Sequence, residues 1–345
     1  MPAVTRPRAG EAEQPRPPKP KVSWKRPLLL ALPLAGMIAS LALVVWLVDP
    51  AAVASAMVSA DPAWLAGAVG FALMGPAFAA CKLRLLLIAV ELPVPMRRCV
   101  SAVLAAITLN AVVPGRGGDF IRAVFLTDTR ETFGVVLGAV LLERIIDVFV
   151  LGALAVGLSL GLGGTQAPIW LGLGACAIAI TAFLILALGH RSPIARETAA
   201  RVSRAVRSVC RRPRILLATV FFSSLVWIAN IGTMACCFRA VHSIVPLAAI
   251  SQSTPIAILA GSAPISVSGL GTRDGTMLLL LRHYGSDAEI VAASFLFAAV
   301  VFGFLPLVGF LAFGREMLRK VRVAKSEASL QSPAEESASG SEPRA

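Results

Sequence analysis

Residues 109–126 read LNAVVPGRGGDFIRAVFL: a proline, three glycines, two arginines and an aspartate between apolar runs. The chain around them is 57% hydrophobic, with a mean hydropathy of +0.80. A loop in water is one reading of the stretch. A helix broken inside a membrane and carrying a polar site is the other. The 14 apolar-rich residues from Val100 to Val113 reach only ~21 Å as a helix. That is short of a hydrocarbon core of ~30 Å.

Outward from this stretch, full-length apolar segments recur at 28–48, 63–81, 133–160, 168–189, 215–238 and 290–313. About 20 apolar residues span a bilayer. The sequence therefore reads as an all-α polytopic integral membrane protein with about six full transmembrane helices. A second apolar region, 247–284, is interrupted by APISVSGLGTRDG. It and 97–127 each resemble two half-helices meeting at a loop, and are expected to form re-entrant or broken helix hairpins. Entry from opposite faces would make the plan an inverted-repeat, transporter-like one. The segment 28–48 is longer than the ~7–15 residues of a signal-peptide core and is read as a retained first span. Residues 1–27 read as a disordered basic cytoplasmic N-terminus, 28–314 as the membrane domain, and 315–345 as a basic, then disordered, cytoplasmic tail.

The net charge of +13 is concentrated beside the spans. Residues 1–27 hold seven Lys/Arg, 190–214 eight Arg, and 314–325 five Lys/Arg. The segment 82–98 carries Lys82, Arg84, Arg97 and Arg98, whereas 49–62 has only Asp49 and Asp61. The positive-inside rule places the basic segments, and both termini, in the cytoplasm, and the protein in the cytoplasmic membrane. The Arg-rich stretch 190–214 reads as a loop that sets topology or grips anionic headgroups. With a single tyrosine and no aromatic–basic interleaving, nucleic acid is not an expected partner. The cysteines lack metal-type spacing, and no phosphate loop, zinc-protease motif or nucleophile elbow is present. No metal, no cofactor and no enzymatic activity are expected.

Candidate site residues fall in three clusters. At the first break, glycines let the backbone turn and approach a ligand closely. Asp119 can cap the half-helix starting near Phe120, Arg116 can present its fork to a phosphate, and Arg122 stands i+3 from Asp119. Asn110, one turn before Pro114, can bond carbonyls that the proline leaves free, or join helices. The second break repeats the logic in Gly269-Leu270-Gly271-Thr272-Arg273-Asp274, with Thr272 as a possible cap. The third cluster is LLERIIDVF, with Glu143, Arg144 and Asp147 inside a long apolar run. Ionisable groups at such depth are functional candidates by default, with a structural ion pair as the alternative. Asn230, Gln252, Ser253 and Thr254 are further polar residues in apolar segments.

Three ordered motifs now stand out: Asn110-x3-Pro114-Gly115-Arg116-x-Gly118-Asp119-x2-Arg122, then Glu143-Arg144-x2-Asp147, then Gly269-Leu270-Gly271-x-Arg273-Asp274. They resemble the flippase-like transmembrane region of the lysylphosphatidylglycerol synthase family and related uncharacterised membrane proteins. Two positions depart from it: Ser268, where glycine is commoner, and Asp274, where glutamate is commoner. Two-part members carry a soluble aminoacyl-transferase domain where 326–345 here reads as a disordered tail. The resemblance thus implies translocation of an anionic or phosphate-linked lipid rather than aminoacylation. All the motif residues would serve as substrate-binding groups, with membrane lipids and a separate lipid-modifying synthase as the partners that the resemblance implies. A membrane-embedded transferase or accessory subunit acting on lipid-linked sugars or headgroups is the alternative.

Overall fold

The computed structural model describes residues 38, 42, 48–111, 118–127, 130–162, 166–188, 196–262 and 269–314. The terminal segments 1–27 and 315–345 lie outside these residues, as do most of 28–48 and the site residues Pro114, Gly115 and Arg116. Among the described residues all regular structure is helical.

Two helices begin on the same Asp-Pro device. Helix α1 (Pro50–Val58) is capped by Asp49, whose carboxylate accepts from the Ala51 amide at 2.9 Å. Helix α2 (Pro62–Ala89) is capped by Asp61 on Ala63 at 2.8 Å. In both, proline fills the first helical position, where its missing N–H costs nothing. There follow α3 (Met96–Asn110), α4 (Asp119–Leu126), α5 (Arg130–Leu162), α6 (Gln166–Leu188) and α7 (Arg196–Cys210). The rest are α8 (Pro213–Ala240), α9 (Leu247–Gly261), α10 (Thr272–Leu281) and α11 (Asp287–Gly314), the last interrupted by a π-helical stretch, Ala299–Phe304.

Four helices are long and apolar enough to cross a bilayer: Pro62–Ala89, Thr132–Leu162, Pro213–Ala240 and Asp287–Gly314. They match four of the expected spans. A fifth, expected at 168–189, corresponds to the 23-residue α6. Both broken regions are pairs of short helices packed on one another, α3 with α4 and α9 with α10. At 15 residues each, α3 and α9 reach about 22 Å, less than a membrane core.

The surface is apolar where that of a water-soluble protein is polar, and the largely apolar interior holds a set of charged side chains. Leu73, Met74, Leu173, Ile178, Leu217, Phe221, Phe310 and Leu311 are exposed, while Lys82, Asp119, Arg122, Glu143, Asp147, Arg273 and Asp274 are buried. An apolar surface of that kind needs an apolar solvent.

The α2–α8 pair forms the spine and is antiparallel. The Asp61 amide donates to the Ala240 carbonyl at 2.8 Å at one end. At the other, Arg212 donates to the Ile88 carbonyl at 3.2 Å and to Glu91 at 3.1 Å. The α2–α3 turn, which leads into Arg97 and Arg98 at the start of α3, and the α7–α8 turn, which carries Arg211 and Arg212, therefore share one end of the molecule. Two expectations are corrected here. The apolar segment at 63–81 does not stop at Lys82; α2 runs on to Ala89, which carries Lys82 into the core at 1% exposure. And 190–214 is not simply a loop. It contains α7, whose Ala205, Val206 and Val209 are buried while Arg204 and Arg207 face outward, the pattern of an amphipathic helix.

Candidate functional site: a buried charge network beside a shared cavity

Glu143 is fully buried on α5, and three cations converge on it. Arg122 Nη1 reaches both carboxylate oxygens at 2.9 and 3.0 Å, Arg144 Nη2 donates at 2.8 Å, and Lys82 Nζ stands 3.3 Å away. One turn on, Asp147 accepts from Lys82 and from the Ser223 hydroxyl of α8, and Arg144 lies 3.0 Å from its other oxygen. Asp119 completes the set, 3.5 Å from Arg122 and 3.6 Å from Arg144. Three cations thus face three carboxylates across α2, α4 and α5. Uncompensated, such charges would be expelled from an apolar interior; paired, they hold the helices in one arrangement.

The first break is closed by Asn110. Its side-chain oxygen accepts from the Gly118 amide at 2.8 Å, and its Nδ2 donates to Asp119 at 3.3 Å. Asn110 therefore spans the break and joins α3 to α4, bonding an amide and a carboxylate beyond it. Asp119 is the first residue of α4 and not its cap; that position belongs to Gly118, with no side-chain cap bond. Gly118 sits directly on α3. A Cβ there would lie 2.7 Å from the Ala106 carbonyl and 2.8 Å from the Asn110 amide nitrogen. Both are backbone atoms with little room to yield, so Gly118→Ala is expected to cost about 1–3 kcal/mol by overpacking. Thermal unfolding in detergent checks this, and an unchanged midpoint would show that α3 and α4 are not seated so closely.

The second break is built differently. Gly269 and Gly271 adopt φ of 75° and 86°, a region closed to most side chains. Gly271, not Thr272, precedes α10, and its amide donates to Asp274 at 2.8 Å. The other Asp274 oxygen accepts from Arg273 Nη2 at 2.6 Å and from the Ser294 hydroxyl of α11. The Arg273 guanidinium also lies over the rings of Phe297 and Phe302, at 5.1 and 5.6 Å from their centroids. Such stacking favours a cation in an apolar setting.

Between the two clusters lies a cavity of about 180 Å³. Asn110, Asp119, Arg122, Arg144, Asp147, Gly269 and Arg273 line it, so residues flanking both breaks border one space. Glu143 and Asp274 stand behind the lining and hold its arginines; Gly118 and Gly271 also lie outside it. Arg144, with its side chain 26% exposed, is the most open member of the charge network. Elsewhere the wall is apolar: Phe71, Gly75, Pro76, Val226, Phe302 and Leu305 among others. Asn230 lines it too, whereas Gln252 reaches the Leu158 carbonyl at 3.5 Å and Thr254 bonds its own helix. Lys82 and Trp227 also line the cavity, and neither was a candidate from sequence. For Lys82 the signal was present: LRLLLIA follows it, another two turns of helix.

A sequence profile of the family described as "Lysylphosphatidylglycerol synthase TM region" matches residues 30–309, most of the chain. The chain belongs to that family. The match spans both breaks and the whole charge network. A protein of Methanothermobacter thermautotrophicus named "UPF0104 membrane protein" is 23% identical over 291 residues, covering 74% of this chain and 86% of that one. Family membership and the spanning helices together make this a multi-pass membrane protein with a lipid-related role.

Proposed function

We propose that the chain translocates an anionic or phosphate-linked lipid between the leaflets of the cytoplasmic membrane, with both termini in the cytoplasm. The observation that carries this reading is the shared cavity, which touches both breaks and is amphipathic. Guanidinium groups from both clusters stand in its wall together with aromatic and aliphatic side chains. Passing a polar headgroup through hydrocarbon is the costly part of lipid movement, and a sheltered polar surface lowers that cost. In this reading α3–α4 and α9–α10 are re-entrant hairpins entering from opposite faces, related as an inverted repeat. Arg97 and Arg98 at the start of α3 and Arg211 and Arg212 in the α7–α8 turn lie at this common end, which supports the cytoplasmic assignment.

Arg144 and Arg273 are the headgroup contacts. Arg122 and Lys82 hold the network together, and Glu143 and Asp147 act as supports with no chemistry assigned to them. In proteoliposomes carrying a fluorescent anionic phospholipid, transfer between leaflets is read by quenching of the outer label. Arg144→Gln and Arg273→Gln are each expected to slow it about tenfold, the effect of losing one charge-assisted contact. Transfer by the wild type no faster than in protein-free vesicles would remove the function; equal transfer by all three proteins would remove these two contacts.

A further inference from the structure

Few buried side-chain nitrogen or oxygen atoms among the described residues lack a hydrogen-bond partner, and most of those that do line this one cavity. They are Nε of Arg122, Nε of Arg144, Nη1 of Arg273 and Nε1 of Trp227. All four are donors. Trp227, Arg122 and Arg273 are 6%, 4% and 2% exposed, so bulk water does not serve them. Buried polar groups in native proteins are paired, and an unpaired one calls for an explanation. The four belong to four different helices: α4, α5, α8 and α10. No single local packing fault accounts for all of them.

A space whose lining residues carry four unpaired N–H groups suits a ligand rich in acceptor lone pairs. Asp119 and Asp147 also line the cavity, but their carboxylates are held by Lys82, Arg122 and Arg144. A phosphate group offers several acceptor oxygens around a compact centre and a negative charge that guanidinium groups favour. We infer that the cavity binds a phosphate oxyanion through these donors, and that Trp227 is a direct ligand whose indole N–H meets a phosphate oxygen. This rests on the lipid-handling reading and narrows it to one chemical group and one unassigned residue. Trp227 otherwise resembles a core residue, packed near Ile258 and Leu86. An indole has one donor in a fixed direction, so it selects for an acceptor there rather than for charge alone.

The test uses purified full-length protein, wild type and Trp227→Phe, which keeps an aromatic wall and removes the N–H. The probes are an acyl-labelled phosphatidylglycerol and a diacylglycerol with the same label and tails but no phosphate. Inorganic phosphate serves as competitor. Wild type is expected to prefer the phosphate lipid. Trp227→Phe is expected to bind that lipid about tenfold more weakly, as for loss of one donor to a charged acceptor, with diacylglycerol binding unchanged. Equal weakening for both lipids, or none for either, overturns the assignment while the lipid-handling reading stands. Wild type binding neither lipid overturns both. Displacement by inorganic phosphate irrespective of the tails assigns the site to the free ion and overturns the lipid as its source. Should Trp227→Phe not fold, wild type with 15N-labelled tryptophan decides. One of its five indole N–H resonances is expected to move with the phosphate lipid and not with diacylglycerol, and five unmoved resonances overturn the proposal.

Discussion

Exchanging Lys82 for methionine is expected to lower the unfolding free energy by about 3–5 kcal/mol, the cost of stripping one partner from a buried ion network. The side chain is 1% exposed, contacts both Asp147 and Glu143, and sits in the middle of three helices. Without it, three carboxylates face only Arg122 and Arg144, and one negative charge stays uncompensated in an apolar interior. The size of the effect comes from that orphaned charge and not from the intrinsic worth of the ion pair. A second variant separates the two. Lys82→Met combined with Asp147→Asn restores the balance and is expected to recover most of the loss. Both are measured by denaturant unfolding in detergent micelles. A single variant as stable as the wild type, or a double variant less stable than the single, would contradict the network described here.

Gly75→Leu is expected to leave the fold intact and slow lipid transfer on the order of a hundredfold, since even one added methylene in an apolar pocket is worth tens-fold discrimination. Gly75 lines the cavity from α2, and a Cβ placed there meets nothing within 4 Å. The new side chain enters empty space instead of its neighbours. The ring of Pro76 disfavours helical backbone at a preceding residue that bears a Cβ, which offsets leucine's higher helix propensity, so the thermal midpoint should hold near the wild-type value. Loss of transfer with retained stability is the signature of an occupied route. Full transfer by a stable Gly75→Leu protein would mean that the lipid travels elsewhere.

What the sequence disclosed follows from which signals survive without knowledge of neighbours. The two breaks were legible because proline and glycine punctuate helices locally, and α3–α4 and α9–α10 lie where the interruptions stood. Glu143 and Asp147 were legible because carboxylates within a long apolar run have no ordinary explanation. Lys82 was not. It stands at the edge of an apolar run beside Arg84, and that pairing reads as a flanking cytoplasmic charge. Only the partners across the interface, Glu143 and Asp147 on α5, draw one inward while the other stays exposed. α7 was hidden by its eight-arginine neighbourhood, which hides the buried Val206 and Val209 face. Trp227 was hidden by its own amphiphilicity: in an apolar helix an indole is as well suited to lipid or core as to a ligand. Asp119 and Thr272 had the side chains of caps, yet glycines precede both helices, because Gly118 lies against the α3 backbone and Gly271 takes a positive φ.

The balance of Lys82, Arg122 and Arg144 against Asp119, Glu143 and Asp147 has an electrical meaning. A transmembrane voltage does work of about 2.3 kcal/mol per elementary charge per 100 mV. On a set of charges that sums to zero and moves together it does none. These six side chains can shift together across the field without being driven or opposed by it. An anionic lipid of the proposed kind adds a charge that the set does not cancel. The cell's electrical gradient then bears on the loaded cavity, while the network itself contributes nothing when the cavity is empty.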